Sequence, residues 1–406
     1  MIRKRIVIYI AVFIFIIGLS RPAITAEEKE SIYKQLPLFA DTISIVQTDY
    51  VEEVNSKDLI YGALQGMLSS LDKHSQFMDP DTYREMKVET KGEFGGLGIV
   101  ITIKDSLLTI ISPIEDTPAY KAGVKSGDKI IKIDGDSTKD FTLLEAVKKM
   151  RGKPGTNCTL SILRESEQKL LEFPITRDII KIKSVKEAKL IDGKTGYIKL
   201  IEFQQKTPQD IEKALKGLEK EGMNGLILDL RNNPGGLLDA AVKVADKFIP
   251  AGKLIVSTRG RRDEQNMKFK ATTRATHTRH PLVIMVNEGS ASASEIVAGA
   301  VQDHKRGFLL GTKTFGKGSV QTVIPLSDGS ALRLTTAKYF TPSGECIHDI
   351  GITPDVVVEL KAEKKEKADE SAAIEDIGRE MAGFTESKGL ADDEQLLRAI
   401  ELIKSM

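Results

Sequence analysis

Val286-Asn-Glu-Gly-Ser-Ala-Ser-Ala-Ser-Glu-Ile-Val297 runs from a buried strand, through a turn of small residues, into a helix. A side chain set on such a turn is exposed at the strand's carboxyl end. The first amides of the following helix point toward any oxyanion formed there. Three serines, Ser290, Ser292 and Ser294, compete for a nucleophile's role, and the same pattern also serves as a helix cap with close-packing alanines.

Working outward, the flanking sequence repeats that step. Tyr197 to Phe203 reads as a strand, Pro208 to Glu221 as a helix, Gly225 to Leu230 as a buried strand, and Leu237 to Ile249 as a helix. Leu282 to Val286 and Ser292 to Val301 follow, then a hairpin of Val320 to Leu326 and Ala331 to Phe340 around Ser327-Asp-Gly329. Alternating strands and helices predict a layered α/β core over residues 177–360. Upstream, 87–176 carries short strands, a short helix at Pro118 to Val124, and a helix at Thr142 to Met150, enough for a small domain. Residues 27–86 hold two amphipathic stripes, Leu36/Phe39/Ile43/Val46/Tyr50 and Ile60/Ala63/Leu64/Met67/Leu71, read as helical packing or oligomer surfaces. Residues 361–406 form a charged tail with one amphipathic helix near Leu396 to Ile403.

A serine hydroxyl needs a base. Lys317, in Thr314-Phe-Gly-Lys-Gly-Ser-Val-Gln321, lies between glycines beside an apolar strand. Desolvation lowers a lysine's pKa, and a lysine neutral near pH 7 can take a serine's proton. Gly311 to Lys317 also has P-loop spacing, but Gly318 stands where a magnesium-binding Ser or Thr belongs, and a strand rather than a helix follows. Ser126-Gly-Asp-Lys129 matches S-x-x-K without the partner motifs that pattern requires. In Asp229-Leu-Arg-Asn-Asn-Pro-Gly-Gly236 a buried strand ends in a turn whose glycines open a helix, so Gly235 and Gly236 are candidates for an anion-binding nest. Glu93-Phe-Gly-Gly-Leu-Gly-Ile99 is a glycine-rich loop opening a strand, able to offer amides to a terminal carboxylate while the strand edge pairs with an extended peptide.

The remaining features set the location and exclude other chemistries. Arg3, Lys4 and Arg5 precede an apolar run from Ile6 to Leu19, so residues 1–26 read as a signal peptide or an uncleaved membrane anchor, with the rest outside the cytoplasm. The 406 residues carry a net charge of +1 and no basic stripe interleaved with aromatics, which argues against a nucleic-acid partner. Cys158 and Cys346 are too few for a disulfide framework or a structural zinc site; they read as buried free thiols, with one bridge between them the alternative in an exported protein. His277 and His280 read as part of a solvated loop, and neither a metal nor a cofactor is expected.

Taken in order, Leu71-Asp-Lys-His-Ser75, the Gly95–Ile99 loop, the Leu230–Gly236 turn, the serine turn, Phe315–Gln321 and Thr341-Pro-Ser-Gly344 with Gly351-Ile-Thr-Pro-Asp355 resemble the carboxy-terminal processing (tail-specific) peptidases of family S41. The resemblance covers about Tyr33 to Leu360. It implies a multidomain α+β and α/β chain: a helical N-terminal segment, a PDZ domain, and a crotonase/ClpP-like peptidase core. It implies a serine endopeptidase without cofactor, Ser292 as nucleophile, Lys317 as base and Gln321 orienting the lysine. The oxyanion would meet the amides of Ala293 and of Gly235 or Gly236. The loop Gly95, Gly96, Leu97, Gly98 and Ile99 would capture the tails of exported protein substrates. Arg151, just after the small domain's helix, becomes a candidate for coupling tail capture to the core. A homo-oligomer through the N-terminal helices, and the membrane if the first segment stays uncleaved, complete the expected partners. The alternative function is a PDZ-based envelope adaptor with an inactive core.

Overall fold

The computed structural model describes residues 26–359 and 393–406, apart from positions 105, 115, 140, 165, 166, 168, 273–276 and 278. The signal peptide or anchor read over 1–26 lies outside the described residues except for Ala26, as does the charged stretch 361–392. Among the described residues no helix is long and apolar enough to cross a membrane.

The first unit holds two helices, α1 (Ala26–Asp49) and α2 (Ser56–Ser69). Asn55 starts α2, its side chain accepting the Lys57 amide at 2.8 Å, as an N-cap should. Each predicted stripe lies on a helix except for its last member, Tyr50 or Leu71, and it is not consumed within the unit: Leu36, Phe39, Tyr50, Met67 and Leu71 are exposed, and only Leu68 is buried among its described residues.

The second unit begins at His74. A short strand, β1 (Gln76–Met78), leads to helix α3 (Pro80–Lys91) and strand β2 (Glu93–Gly96). A small β domain follows: β3 (Ile99–Lys104), β4 (Leu107–Pro113), α4 (Pro118–Lys121), β5 (Lys129–Ile133), β6 (Asp136–Ser137), α5 (Leu143–Met150), β7 (Asn157–Arg164) and β8 (Lys169–Thr176). Its sheet runs β3-β4-β5-β7-β8 with β6 beside β5, and Ile110, Ile130, Leu160 and Ile162 bury against Ala119 of α4 and Ala146 of α5. Thr142 and Glu145 close a reciprocal capping box at the start of α5. Strand β9 (Asp178–Lys181) pairs back on β2.

The remaining strands build the α/β core. They are β10 (Val185–Ile191), β11 (Thr195–Leu200), β12 (Gly225–Asp229), β13 (Leu254–Gly260), β14 (Lys268–Lys270), β15 (Leu282–Val286), β16 (Phe308–Gly311), β17 (Ser319–Pro325), β18 (Ala331–Phe340) and β19 (Val356–Val357). Helices α6 (Thr207–Lys220), α7 (Leu238–Ala245), α8 (Ala293–Asp303) and α9 (Glu394–Ser405) pack around them. The main sheet runs β10-β11-β12-β15-β16-β19 and is parallel from β11 onward. Strands covered on both faces need no polar alternation, which is why β15 is apolar and buried throughout and β12 is so until Asp229, the buried carboxylate at its end. Leu226, Leu228 and Ile284 join the large core with α6, α7 and α8, while Ile227, Val283 and Met285 face Leu396, Ala399 and Ile403 of α9.

Three features depart from the sequence reading. The helix in the charged tail is not a solvated appendage, because α9 covers one face of the main sheet and buries Leu396, Ala399 and Ile403. The segment before the small domain is not wholly helical, since β1 pairs with β18, a distant strand whose edge supplies the missing hydrogen bonds. His277 is buried rather than solvated, with Nδ1 2.6 Å from Glu219 Oε1 and its carbonyl accepting from Arg306 at 2.8 Å. Both cysteines are free, Cys158 buried and Cys346 partly exposed.

Candidate active site

The turn between β15 and α8 distributes its three serines among different tasks. Ser290 is fully buried; its Oγ donates to the Leu230 carbonyl at 2.8 Å and accepts the Asn287 amide at 2.9 Å. Ser294 is also fully buried, and its Oγ donates to the Asn233 carbonyl at 2.9 Å. Both hydroxyls therefore pin the neighbouring 230–236 turn in place. Ser292 is the partly exposed member, at φ 53° and ψ −107°, a conformation that costs a non-glycine residue about 1–3 kcal/mol. A packed turn that forces one serine into this backbone state while burying its neighbours presents that serine outward.

Glu295, three residues further along α8, ties the turn to the lysine loop. Its side chain is fully buried. One carboxylate oxygen accepts Thr314 Oγ1 at 2.6 Å and the Gly316 amide at 2.8 Å. The other accepts the Ser292 amide at 2.8 Å and the Lys317 amide at 2.9 Å. The backbones of serine and lysine thus share one acceptor atom. Burial raises the carboxyl's pKa above its ordinary value, and these donors offset only part of that rise. The sequence reading gave Glu295 no role. The serine at the N-cap with glutamate three residues later was its local signal, but nothing local announces the reach to residues 314–317.

Lys317 is half-buried, and burial, followed by the charge of Arg333, pushes its amine below the usual lysine range. Among the described residues its amine has no hydrogen-bond or ion-pair partner. Gly318 is required beside it, because a Cβ there would lie 2.2 Å from the His348 amide nitrogen. Gln321, on β17, donates from Nε2 to Thr335 Oγ1 at 2.8 Å and to Ser319 Oγ at 3.2 Å, leaving Oε1 buried without a partner.

The 230–236 turn approaches from the end of β12. A Cβ on Gly235 (φ +105°) would fall 2.7 Å from the Ala291 carbonyl and 2.9 Å from the Ala293 amide nitrogen, so only glycine permits this approach. The Gly235 amide, however, is committed to Asn233 Oδ1 at 2.9 Å, which removes it as an oxyanion donor. The amides of Gly236 and Ala293 have no acceptor among the described residues. Arg231 anchors the turn's approach: it pairs with Asp229 at 2.7 Å, with Asp393, the N-cap of α9, at 2.7 Å and with Gln395 of α9 at 3.0 Å. Burial opposes ionisation of Asp229, but Lys199 and Arg231 outweigh it and hold the carboxyl at about 2.

The glycine-rich loop is divided. Gly95 and Gly96 lie in β2, paired with β9, and the Gly95 carbonyl accepts the Gly152 amide at 3.0 Å, so these two serve packing rather than an open loop. Leu97 and Gly98 follow with amides that find no acceptor among the described residues, and Ile99 begins β3. Arg151 caps α5 at its C-terminal end, pairs with Glu85 of α3, and stacks on Phe94 at 4.4 Å. Lys148 of α5 pairs with Asp81 of α3. Arg151 therefore reaches α3 and β2, and among the described residues no hydrogen bond or ion pair joins it to the serine turn.

Comparison with known proteins gives a consistent picture. Residues 194–358 match the model of peptidase family S41, residues 95–175 that of a PDZ domain, and residues 20–82 that of the activating protease CtpB N-terminal domain. The whole chain is 46% identical to a carboxy-terminal-processing protease of Bartonella bacilliformis, aligned over 96% of that protein. Over 78% of the chain it is 39% identical to 75% of a carboxyl-terminal-processing protease of Synechocystis sp.. Over 82% of the chain it is 35% identical to 70% of the carboxy-terminal processing protease CtpB of Bacillus subtilis.

Proposed function

Because the chain belongs to the carboxy-terminal-processing serine peptidases of family S41, with a PDZ domain between its helical N-terminal region and its peptidase core, we propose that Ser292 and Lys317 form its catalytic dyad. The observation that carries this reading is the shared acceptor: Glu295 holds the backbones of both residues on one carboxylate oxygen. Lys317, its pKa lowered by burial, takes the Ser292 proton as Oγ attacks the scissile carbonyl. The tetrahedral oxyanion is received by the amides of Ala293 and Gly236. The lysine ammonium then protonates the leaving amine, and on deacylation the neutral amine activates water. Gln321 accepts from the lysine and fixes its direction.

The substrate class follows from the small domain. The free amides of Leu97 and Gly98 suit a terminal carboxylate, and β3 offers its edge to the tail behind it. The enzyme then cleaves exported proteins near their C-termini. The basic-then-apolar start of the chain supports a location in the cell envelope, either released or anchored. The apolar side chains exposed on α1 and α2 support self-association through these helices; a monomer in light scattering at assay concentration would discard that part. Arg151 couples the domains by way of Glu85 and α3, and unchanged hydrolysis by Arg151→Ala, with and without a separate tail peptide, would remove it from the account. The defining experiment compares one protein substrate bearing a free or an amidated C-terminus. The free form is cleaved faster by wild type; equal rates refute tail capture, and cleavage of neither returns the adaptor reading.

A further inference from the structure

We infer that Thr335, oriented by Ser75, is a positioning residue that turns the Gln321 carboxamide so that its oxygen, not its nitrogen, faces Lys317. The inference rests on the reading of Lys317 as base and Gln321 as its partner.

A carboxamide is nearly symmetric in shape but not in chemistry: one end accepts and the other donates. A lysine amine needs the accepting end, so an enzyme using this glutamine must specify which way it lies. Strands β17 and β18 pair Gln321 with Thr335, next to an irregularity in register between Val320 and Gln321. Such bulges re-aim side chains beside active sites. The Thr335 amide donates to Ser75 Oγ at 3.1 Å, and Ser75 Oγ donates in turn to Thr335 Oγ1 at 3.4 Å. Receiving that hydrogen, Thr335 Oγ1 presents a lone pair to Gln321 Nε2 at 2.8 Å. Thr335 Oγ1 and, at 3.2 Å, Ser319 Oγ each accept from Gln321 Nε2, so the carboxamide lies with its NH2 toward these two hydroxyls. Its Oε1 is left buried without an acceptor's partner, and such an atom waits for a donor. Lys317, four residues earlier, carries donors with no partner among the described residues.

Ser75 is held in turn by the strand that follows it. β1 aligns Gln76 with Arg333, and Arg333 Nη2 donates to Gln76 Oε1 at 2.8 Å. A segment that precedes the small domain in sequence thus holds the threonine against which the Gln321 carboxamide is anchored.

The test uses the purified full chain and a fluorogenic tail peptide, with kcat, KM and the pH profile of kcat measured for each variant. Thr335→Val keeps the shape and removes the acceptor. It is expected to lower kcat about ten- to a hundredfold, the scale of a misplaced catalytic group, with KM within about threefold by the same argument. The acid limb moves to lower pH, because the lysine ammonium loses the acceptor that favours its charged form. Thr335→Ser restores most of kcat. In a Gln321→Ala background Thr335→Val has no further effect, since both changes remove the same interaction. Should Thr335→Val fail to fold, Ser75→Ala shows the same acid-limb shift with a smaller loss of kcat. Wild-type kcat in Thr335→Val beside an impaired Gln321→Ala overturns the inference, as do losses that multiply in the double variant. An active Lys317→Ala instead overturns the underlying reading, so the two failures are distinguishable.

Discussion

Replacing Glu295 by glutamine removes one accepting atom and leaves the shape unchanged. In the structure each carboxylate oxygen serves two donors: Thr314 and Gly316 on one side, Ser292 and Lys317 on the other. Whichever way the glutamine lies, its NH2 faces two donors that are left without an acceptor. Hydrogen bonds to a charged group are each worth about 1.5–3 kcal/mol, so the pair comes to roughly 3–6 kcal/mol. If that loss falls on the alignment of Ser292 with Lys317, kcat drops about 10²- to 10⁴-fold. If it falls on folding, the melting temperature drops by several degrees. The assay is peptide hydrolysis alongside a thermal melt of the same sample. A Glu295→Gln enzyme with kcat within about threefold of wild type and an unchanged melting temperature would refute the reasoning.

Two further outcomes follow from the α9 side of the sheet. Leu396→Ala empties a buried site facing β12 and β15 and is expected to cost about 2–5 kcal/mol in denaturant unfolding; a loss below about 0.5 kcal/mol would mean that α9 is not docked. The Asp229 carboxyl, held at about 2 against an ordinary 3.8, lends roughly 2 kcal/mol that is fully present above pH 4 or so and is lost as pH falls through 2. Asp229→Asn should flatten that part of the acid stability profile, and an unaltered slope would contradict the assignment.

Much of the core was legible because its signals are local. The apolar runs Leu226–Leu228 of β12 and Leu282–Val286 of β15, and the small-residue turn at 290–294, identify strand, turn and helix from their own residues. Family resemblance then separated Ser292 from Ser290 and Ser294, and the structure supplies a physical difference: two hydroxyls are spent on the carbonyls of Leu230 and Asn233. What escaped the sequence is non-local. A three-residue strand such as β1 has no period of its own and exists because β18 offers an edge. The stripe of α9 was visible, but the surface it covers lies on β12, β15 and β16, far from it in sequence. Gly235 looked like an oxyanion donor until Asn233 was found to occupy its amide. Glu295 carried a capping signal whose second half, the lysine loop, lies 22 residues on.

The central claim is that Ser292 attacks and Lys317 takes its proton. Its most direct measurement is the turnover of one tail-bearing protein substrate by wild type, Ser292→Ala, Lys317→Ala and Lys317→Arg, each checked for an unchanged fold by circular dichroism. All three variants are expected to lose at least about 10³-fold in kcat, the arginine included, because a permanently charged side chain cannot accept the proton. Turnover within about tenfold of wild type in any folded variant would contradict it.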